Sequence, residues 1–135
     1  MASFQSIEEA REFFKGDLFA AKNGMQIDEL LEDGCVCSMT LTKDHRNAYG
    51  SVMGGVTFTL ADFAQAVASN QIHKISVAQE VTIHYLSAPK GDRLIARTQC
   101  IKNGRNASVI QVKVTDDTGR DIALFTGTAF KLQES

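Results

Sequence analysis

Apolar and polar positions along the chain change period several times, and each change marks an element. Ile7, Ala10, Phe13 and Phe14 repeat at helical spacing. Ser6-Ile7-Glu8-Glu9 in front of them is a capping box, with Ser at the N-cap and Glu three residues later. Lys15-Gly16 is predicted to end this helix, and Asp17 to start one more turn through Ala20 and Ala21. From Met25 the period moves toward two. Asp33-Gly34 reads as a hairpin turn. Beyond it Cys35, Cys37, Met39 and Leu41 alternate with Val36, Ser38 and Thr40, as in a half-buried strand. A polar loop over 42–53 leads into a helix predicted from Gly54 to about Gln71. That helix is apolar on most faces, with Val56, Phe58, Leu60, Ala61, Phe63, Ala64, Val67 and Ala68, so it must be covered on nearly all sides.

The remainder is strand-like. Ser76–Leu86 places Val81, Ile83 and Tyr85 on one face, and Pro89-Lys90-Gly91-Asp92 breaks it. Leu94–Ile101 is the next strand, followed by a two-residue hairpin signal at Asn103-Gly104. Ser108, Ile110, Val112 and Val114 line one face of the following strand. Asp116-Asp117-Thr118-Gly119 turns the chain again, and Ile122, Leu124, Thr126, Thr128, Phe130 and Leu132 share a face of the last strand. The predicted order is a short helix, two strands, a long buried helix and a four-strand antiparallel meander. A sheet of about six strands needs one face covered, and the long helix can do this if the sheet curls around it. Little material is then left for the helix's other sides and the sheet edges. That argues for a homo-oligomer, a two-fold dimer with continuous sheets. The chain reads as one domain over 1–135, with 1–21 as an N-terminal helical segment and no internal repeat, linker or low-complexity stretch.

Composition narrows the function classes. The apolar share of 44% and charged share of 22% are those of a soluble globular protein. A net charge of −2 with no basic block gives no electrostatic case for nucleic acid. No apolar run approaches the ~20 residues that span a bilayer, and the first residues lack a signal-peptide pattern. Cys35, Cys37 and Cys100 form no C-x-x-C pair and are expected as reduced core residues of a cytoplasmic protein.

Asp62 is the residue this pattern leaves unexplained. A carboxylate in an apolar helix is costly unless something pairs with it or uses it. Its helical neighbours Phe58, Thr59, Gln65 and Ala66 include no cation. The same helix opens on Gly54-Gly55, where free N–H groups and the positive end of the helix dipole can hold an oxyanion. A lone acid and a glycine-opened helix start are the minimum set for attack on a carbonyl. The bland alternatives are a buried Asp satisfied by backbone donors or by a partner's arginine, and glycines required only for close packing. His45, His73 and His84 share no short spacing, so no metal site is expected, and His45 reads as a solvated loop residue. No nucleophile-elbow sequence surrounds Ser51, Ser69 or Ser87.

Asn47-Ala48-Tyr49-Gly50-Ser51-Val52-Met53-Gly54-Gly55 followed by Leu60-Ala61-Asp62 is similar to Asn-x-x-Gly-x-x-His-Gly-Gly with Leu-x-Asp on the ensuing helix. Ile83-His84-Tyr85-Leu86-Ser87-Ala88-Pro89-Lys90-Gly91-Asp92 is similar to a strand ending in Tyr-Leu-x-Pro-x-x-Gly-Asp. On these segments the chain resembles the hotdog-fold acyl-CoA thioesterases, in particular the phenylacetate-degradation (PaaI-like) branch. Met53 stands where that family usually has His, and Ala78 roughly where many relatives have Ser or Thr. The resemblance implies an α+β hotdog fold and hydrolysis of acyl-CoA thioesters, with no cofactor because coenzyme A is part of the substrate. It implies Asp62 as general base or nucleophile and Gly54 and Gly55 as backbone donors to the thioester oxygen. Asn47 would orient the water or the carboxylate; its alternative is an Asx turn. It further implies a homodimer or dimer of dimers, with catalytic parts drawn from different subunits. Met53, Val52, Phe58 and Phe63 are candidates for an apolar acyl pocket. Lys90, Lys102 and Arg105 are candidates for the coenzyme A phosphates, or else solvated hairpin charges. The rival readings are a non-catalytic acyl-CoA binding protein of the same fold and, below it, a hydroxyacyl dehydratase.

Overall fold

The computed structural model describes residues 2–132, so Met1 and residues 133–135 of the expected domain lie outside it. The chain runs α1 (Ile7–Phe14), α2 (Leu18–Lys22), β1 (Gln26–Leu31), β2 (Gly34–Thr40), α3 (Gly54–Ile72), β3 (Ser76–Tyr85), β4 (Arg93–Asn103), β5 (Ala107–Asp116) and β6 (Asp121–Lys131). The six strands form one antiparallel sheet in the order β1-β2-β4-β5-β6-β3. The sheet curls around α3, the hotdog arrangement implied by the resemblance.

The expected four-strand meander is shorter than predicted. Only β4, β5 and β6 follow one another in space; β3 crosses to the far edge and pairs with β6, while β2 takes the place beside β4. The reason is local. The two later connections are tight, but residues 86–92, with Pro89, form no hairpin, and Leu86 instead donates to Ile122 O at 2.8 Å. Turn positions also shift. Glu32-Asp33 is the β1–β2 turn, with Gly34 already paired to Leu31. Gly104-Arg105-Asn106 joins β4 to β5, closed by Gly104 N–H donating to Ala107 O at 2.8 Å.

α3 carries few charges and buries eleven of its nineteen residues. Ala61, Ala64 and Ala68 are fully enclosed, and these small side chains let the helix settle onto the sheet. Cys35, Cys37 and Met39 face it from β2, Ile110, Val112 and Val114 from β5, and Ala123, Phe125 and Ala129 from β6. On β6 the inward set therefore alternates with the predicted one: Leu124, Thr126 and Thr128 are only half-buried. Gly127 belongs to the inward set because a Cβ there would collide with the buried Gln65 side chain.

The polar end of α3 ties the N-terminal segment down. Gln71 accepts from Phe4 N–H at 2.9 Å and donates to Leu31 O at 2.9 Å. At α1, Ser6 accepts from Glu9 N–H as a capping box requires, but the Glu9 carboxylate reaches Gln5 N–H rather than that of Ser6. Phe14 meets Phe4, Phe13 and Phe63 edge-on, the last at 5.9 Å between ring centres, while Phe4 and Phe13 are tilted to one another. Cys35 and Cys37 are core thiols, whereas Cys100 is only half-buried on β4.

Candidate functional site

The sequence-selected residues fall into two groups at different heights on α3. Gly54 and Gly55 are its first two residues, so their N–H groups have no carbonyl one turn earlier to bond. Among the described residues, neither N–H has a backbone partner. Both glycines are exposed, and Met53 caps the helix with an extended backbone and a side chain 55% exposed. Val52, half-buried, closes the preceding loop by bridging to Arg46.

Two residues fix where this helix begins, and neither was given that role from the sequence. Tyr85, from β3, donates its hydroxyl to Gly54 O at 3.0 Å. A Cβ on Gly54 would press on that ring at 3.3 Å, which explains the glycine by close approach. His45 is buried, not solvated. Its carbonyl accepts from Met53 N–H at 2.9 Å, its Nδ1 accepts from Thr42 N–H at 2.9 Å, and its Nε2 faces Asn23 Oδ1 at 3.1 Å. With Nδ1 accepting, the neutral ring carries its proton on Nε2 and donates it to Asn23. His45 thereby joins the end of α2 to the start of α3.

Asn47 builds the loop between them. Its Oδ1 accepts from Tyr49 N–H at 3.0 Å and Ser51 N–H at 3.2 Å, the turn-forming alternative weighed for it. Only its amide NH₂ is left to meet anything else.

Asp62 lies two turns further along. Eight residues of helix separate it from Gly54, about 12 Å of axis. Its carboxylate is half-buried and receives no hydrogen bond or ion pair among the described residues. It opens into a cleft of about 270 Å³ with Thr59, Phe63 and Ala66 from its own helix and Asp17, Leu18, Phe19 and Ala20 from the α2 turn. Burial raises its carboxyl above the usual range, and the negative charge of Asp17 adds to that. A carboxylate held this way is a stronger base than one in water and remains free to act. Asp17 and the α2 side chains are the site residues that sequence reasoning missed. The turn itself was expected from the sequence, but nothing in it tied the turn to a residue 45 positions away.

The proposed apolar and cationic contacts do not all gather here. Phe63 lines the Asp62 cleft, but Phe58 turns to the sheet and stacks on Phe125 at 5.6 Å. Lys90 sits before β4, whereas Lys102 and Arg105 sit at its other end, about 30 Å away at strand rise. These cations therefore form no single patch within one chain. His73 donates to Gly104 O at 2.7 Å and His84 is exposed on β3, each apart from His45.

The family model of the thioesterase superfamily matches residues 49–123, the stretch from the helix-start loop into β6. The chain belongs to the thioesterase superfamily. It is 30% identical over 131 residues to the acyl-coenzyme A thioesterase PaaI of Escherichia coli, covering 96% of this chain and 94% of that protein. The solved structure of the E. coli PaaI protein from the phenylacetic acid degradation operon superposes with a TM-score of 0.88 over 95% of this chain and 94% of that one, at 28% identity. A putative esterase of Archaeoglobus fulgidus is 31% identical over 132 residues, 96% of this chain and 86% of its own. A hypothetical thioesterase of Streptococcus pneumoniae, solved with coenzyme A, matches at TM-score 0.81 and 28% identity over 90% of this chain and 99% of that one. Family membership thus rests on the same segment that carries both residue groups.

Proposed function

We propose that this thioesterase-superfamily chain hydrolyses acyl-CoA thioesters to the free acid and coenzyme A. The observation that carries this reading is the half-buried Asp62 carboxylate, unpaired and open to a mostly apolar cleft. Asp62 either removes a proton from the attacking water or attacks the carbonyl itself, and the N–H groups of Gly54 and Gly55 hold the developing oxyanion. Names borne by the relatives support the substrate class: PaaI is an acyl-coenzyme A thioesterase, and the pneumococcal thioesterase was solved with coenzyme A. No cofactor is invoked.

One chain does not bring the two halves together. A thioester carbonyl cannot touch a base and an oxyanion donor spaced about 12 Å apart on one helix. The reaction centre we infer therefore lies between two copies, Asp62 from one and Gly54-Gly55 from the other, in a two-fold dimer. The β3 edge suits such a contact. Among the described residues it is unpaired on its outer side, and Ile75, Val77, Tyr85 and Leu86 on or beside it are 54%, 45%, 55% and 57% exposed.

Thiol release from a panel of acyl-CoA esters tests the reading. Wild type is expected to release coenzyme A. Asp62→Asn is expected to lose at least about a hundredfold in kcat, as removal of a general base does. Tight ester binding without release would favour the non-catalytic binding protein, and release that survives Asp62→Asn would remove Asp62 from the mechanism.

A further inference from the structure

The walls of the Asp62 cleft contain residues that hydrolysis itself does not use. Leu18 and Phe19 are 64% and 68% exposed, two large apolar side chains left in water beside a carboxylate. Asp17 precedes them at the N-cap of α2, yet its side chain makes no capping hydrogen bond, so its charge is not consumed by the helix. Opposite stand Phe63 and Ala66.

The apolar lining of this cleft decides which half of a thioester enters it, and its charge decides which acyl groups do. Asp17 and Asp62 both line it and, among the described residues, no cation does. The arm of coenzyme A next to the thioester is neutral but carries amides, which Leu18, Phe19 and Phe63 cannot pair, whereas an apolar acyl group loses nothing against them; an acyl group with its own carboxylate would be repelled by the aspartates. The volume of about 270 Å³ lies at the small end for ligand pockets, which fits an aryl or medium-length acyl group.

We propose that the α2 turn is the acyl-recognition element of this protein: Leu18 and Phe19 cover the acyl group of a thioester whose carbonyl sits at Asp62, and Asp17 turns away acyl groups that carry a carboxylate of their own. The proposal rests on the hydrolase reading for what occupies the cleft. It goes beyond that reading by assigning specificity to the N-terminal segment. Leu18 and Phe19 are specificity residues and Asp17 an electrostatic filter; none touches the reacting atoms. The substrate class that follows is the apolar monoacyl thioesters, aryl or medium-chain aliphatic, with dicarboxylic acyl groups excluded.

The test reads binding without turnover. In an Asp62→Asn background, dissociation constants are measured for coenzyme A, hexanoyl-CoA, phenylacetyl-CoA and adipoyl-CoA. Both apolar side chains are exposed, so truncating them removes little core contact. Leu18→Ala and Phe19→Ala are each expected to weaken hexanoyl-CoA and phenylacetyl-CoA about tenfold while leaving free coenzyme A unchanged. Asp17→Asn is expected to strengthen adipoyl-CoA several-fold relative to hexanoyl-CoA; asparagine keeps the N-cap preference. Unchanged acyl selectivity in the three variants overturns the proposal. So does loss of the oligomer in Leu18→Ala or Phe19→Ala with selectivity intact, since the pair would then be a subunit contact. A wild type that binds these esters with the expected selectivity but releases no thiol would end the hydrolase reading and leave the recognition element standing.

Discussion

An unpaired, half-buried carboxylate repelled by Asp17 costs the folded state free energy whenever it is ionised. Asp62 has its carboxyl raised, by burial first and Asp17 second, so the native chain holds that proton more tightly than the unfolded chain does. The stability this brings is present below the ordinary carboxylate range and is lost as pH rises through the raised value. Above that value the ionised form is the one the fold disfavours. Asp62→Asn is therefore expected to raise the urea midpoint at pH 7 with no change in slope, and the gain should vanish near pH 3, where Asp is also neutral. A lower midpoint at pH 7 would mean that the carboxylate has a stabilising partner. The solitude of Asp62 was legible in the sequence because helical neighbours at three and four residues can be read off directly. Its cleft was not, because Asp17 is 45 positions away and reaches it only through the packing of α2 on α3.

Elements whose partners are local in sequence were readable, and those with remote partners were not. The 116–119 turn signal fixed β5 against β6, and the long apolar run fixed α3. Periodicity gave the faces of β3 but not its neighbour, because a strand's period says nothing about which edge it pairs with. The segment before β4 shows how a remote contact takes over. Asp116, 2% exposed, accepts from Lys90 N–H at 2.8 Å, Gly91 N–H at 3.0 Å, Arg120 N–H at 3.0 Å and both donors of Thr118. Asp117 accepts from Asp92 N–H at 2.9 Å. Burial opposes the Asp116 charge, but the Thr118 hydroxyl and the three backbone donors outweigh it and hold the carboxyl well below the usual range. A depressed carboxyl contributes stability above the ordinary carboxylate range and loses it as pH falls through the folded value. Asp116→Ala should thus cost about 3 kcal/mol or more at pH 7, by stranding several N–H groups, and the difference from wild type should shrink in acid unfolding below pH 4. Equal stability at pH 7 would show the loop to be held by other means.

For the whole molecule, the geometry of α3 sets the assembly. A helix that carries a base in its middle and an oxyanion donor at its tip cannot use both on one carbonyl, so the functional unit we infer is at least a pair of chains. The apolar side chains along the outer β3 edge are what such a pair would bury, and their exposure in one chain is the cost of splitting the site. Mixing Asp62→Asn with Gly54→Val tests this directly. The two inactive variants are unfolded together, refolded at equal concentration and assayed for coenzyme A release. In mixed dimers one of the two sites receives intact Asp62 and intact Gly54, so about a quarter of wild-type activity should return. No recovery, with mixed dimers shown to have formed, would contradict a reaction centre built from two copies.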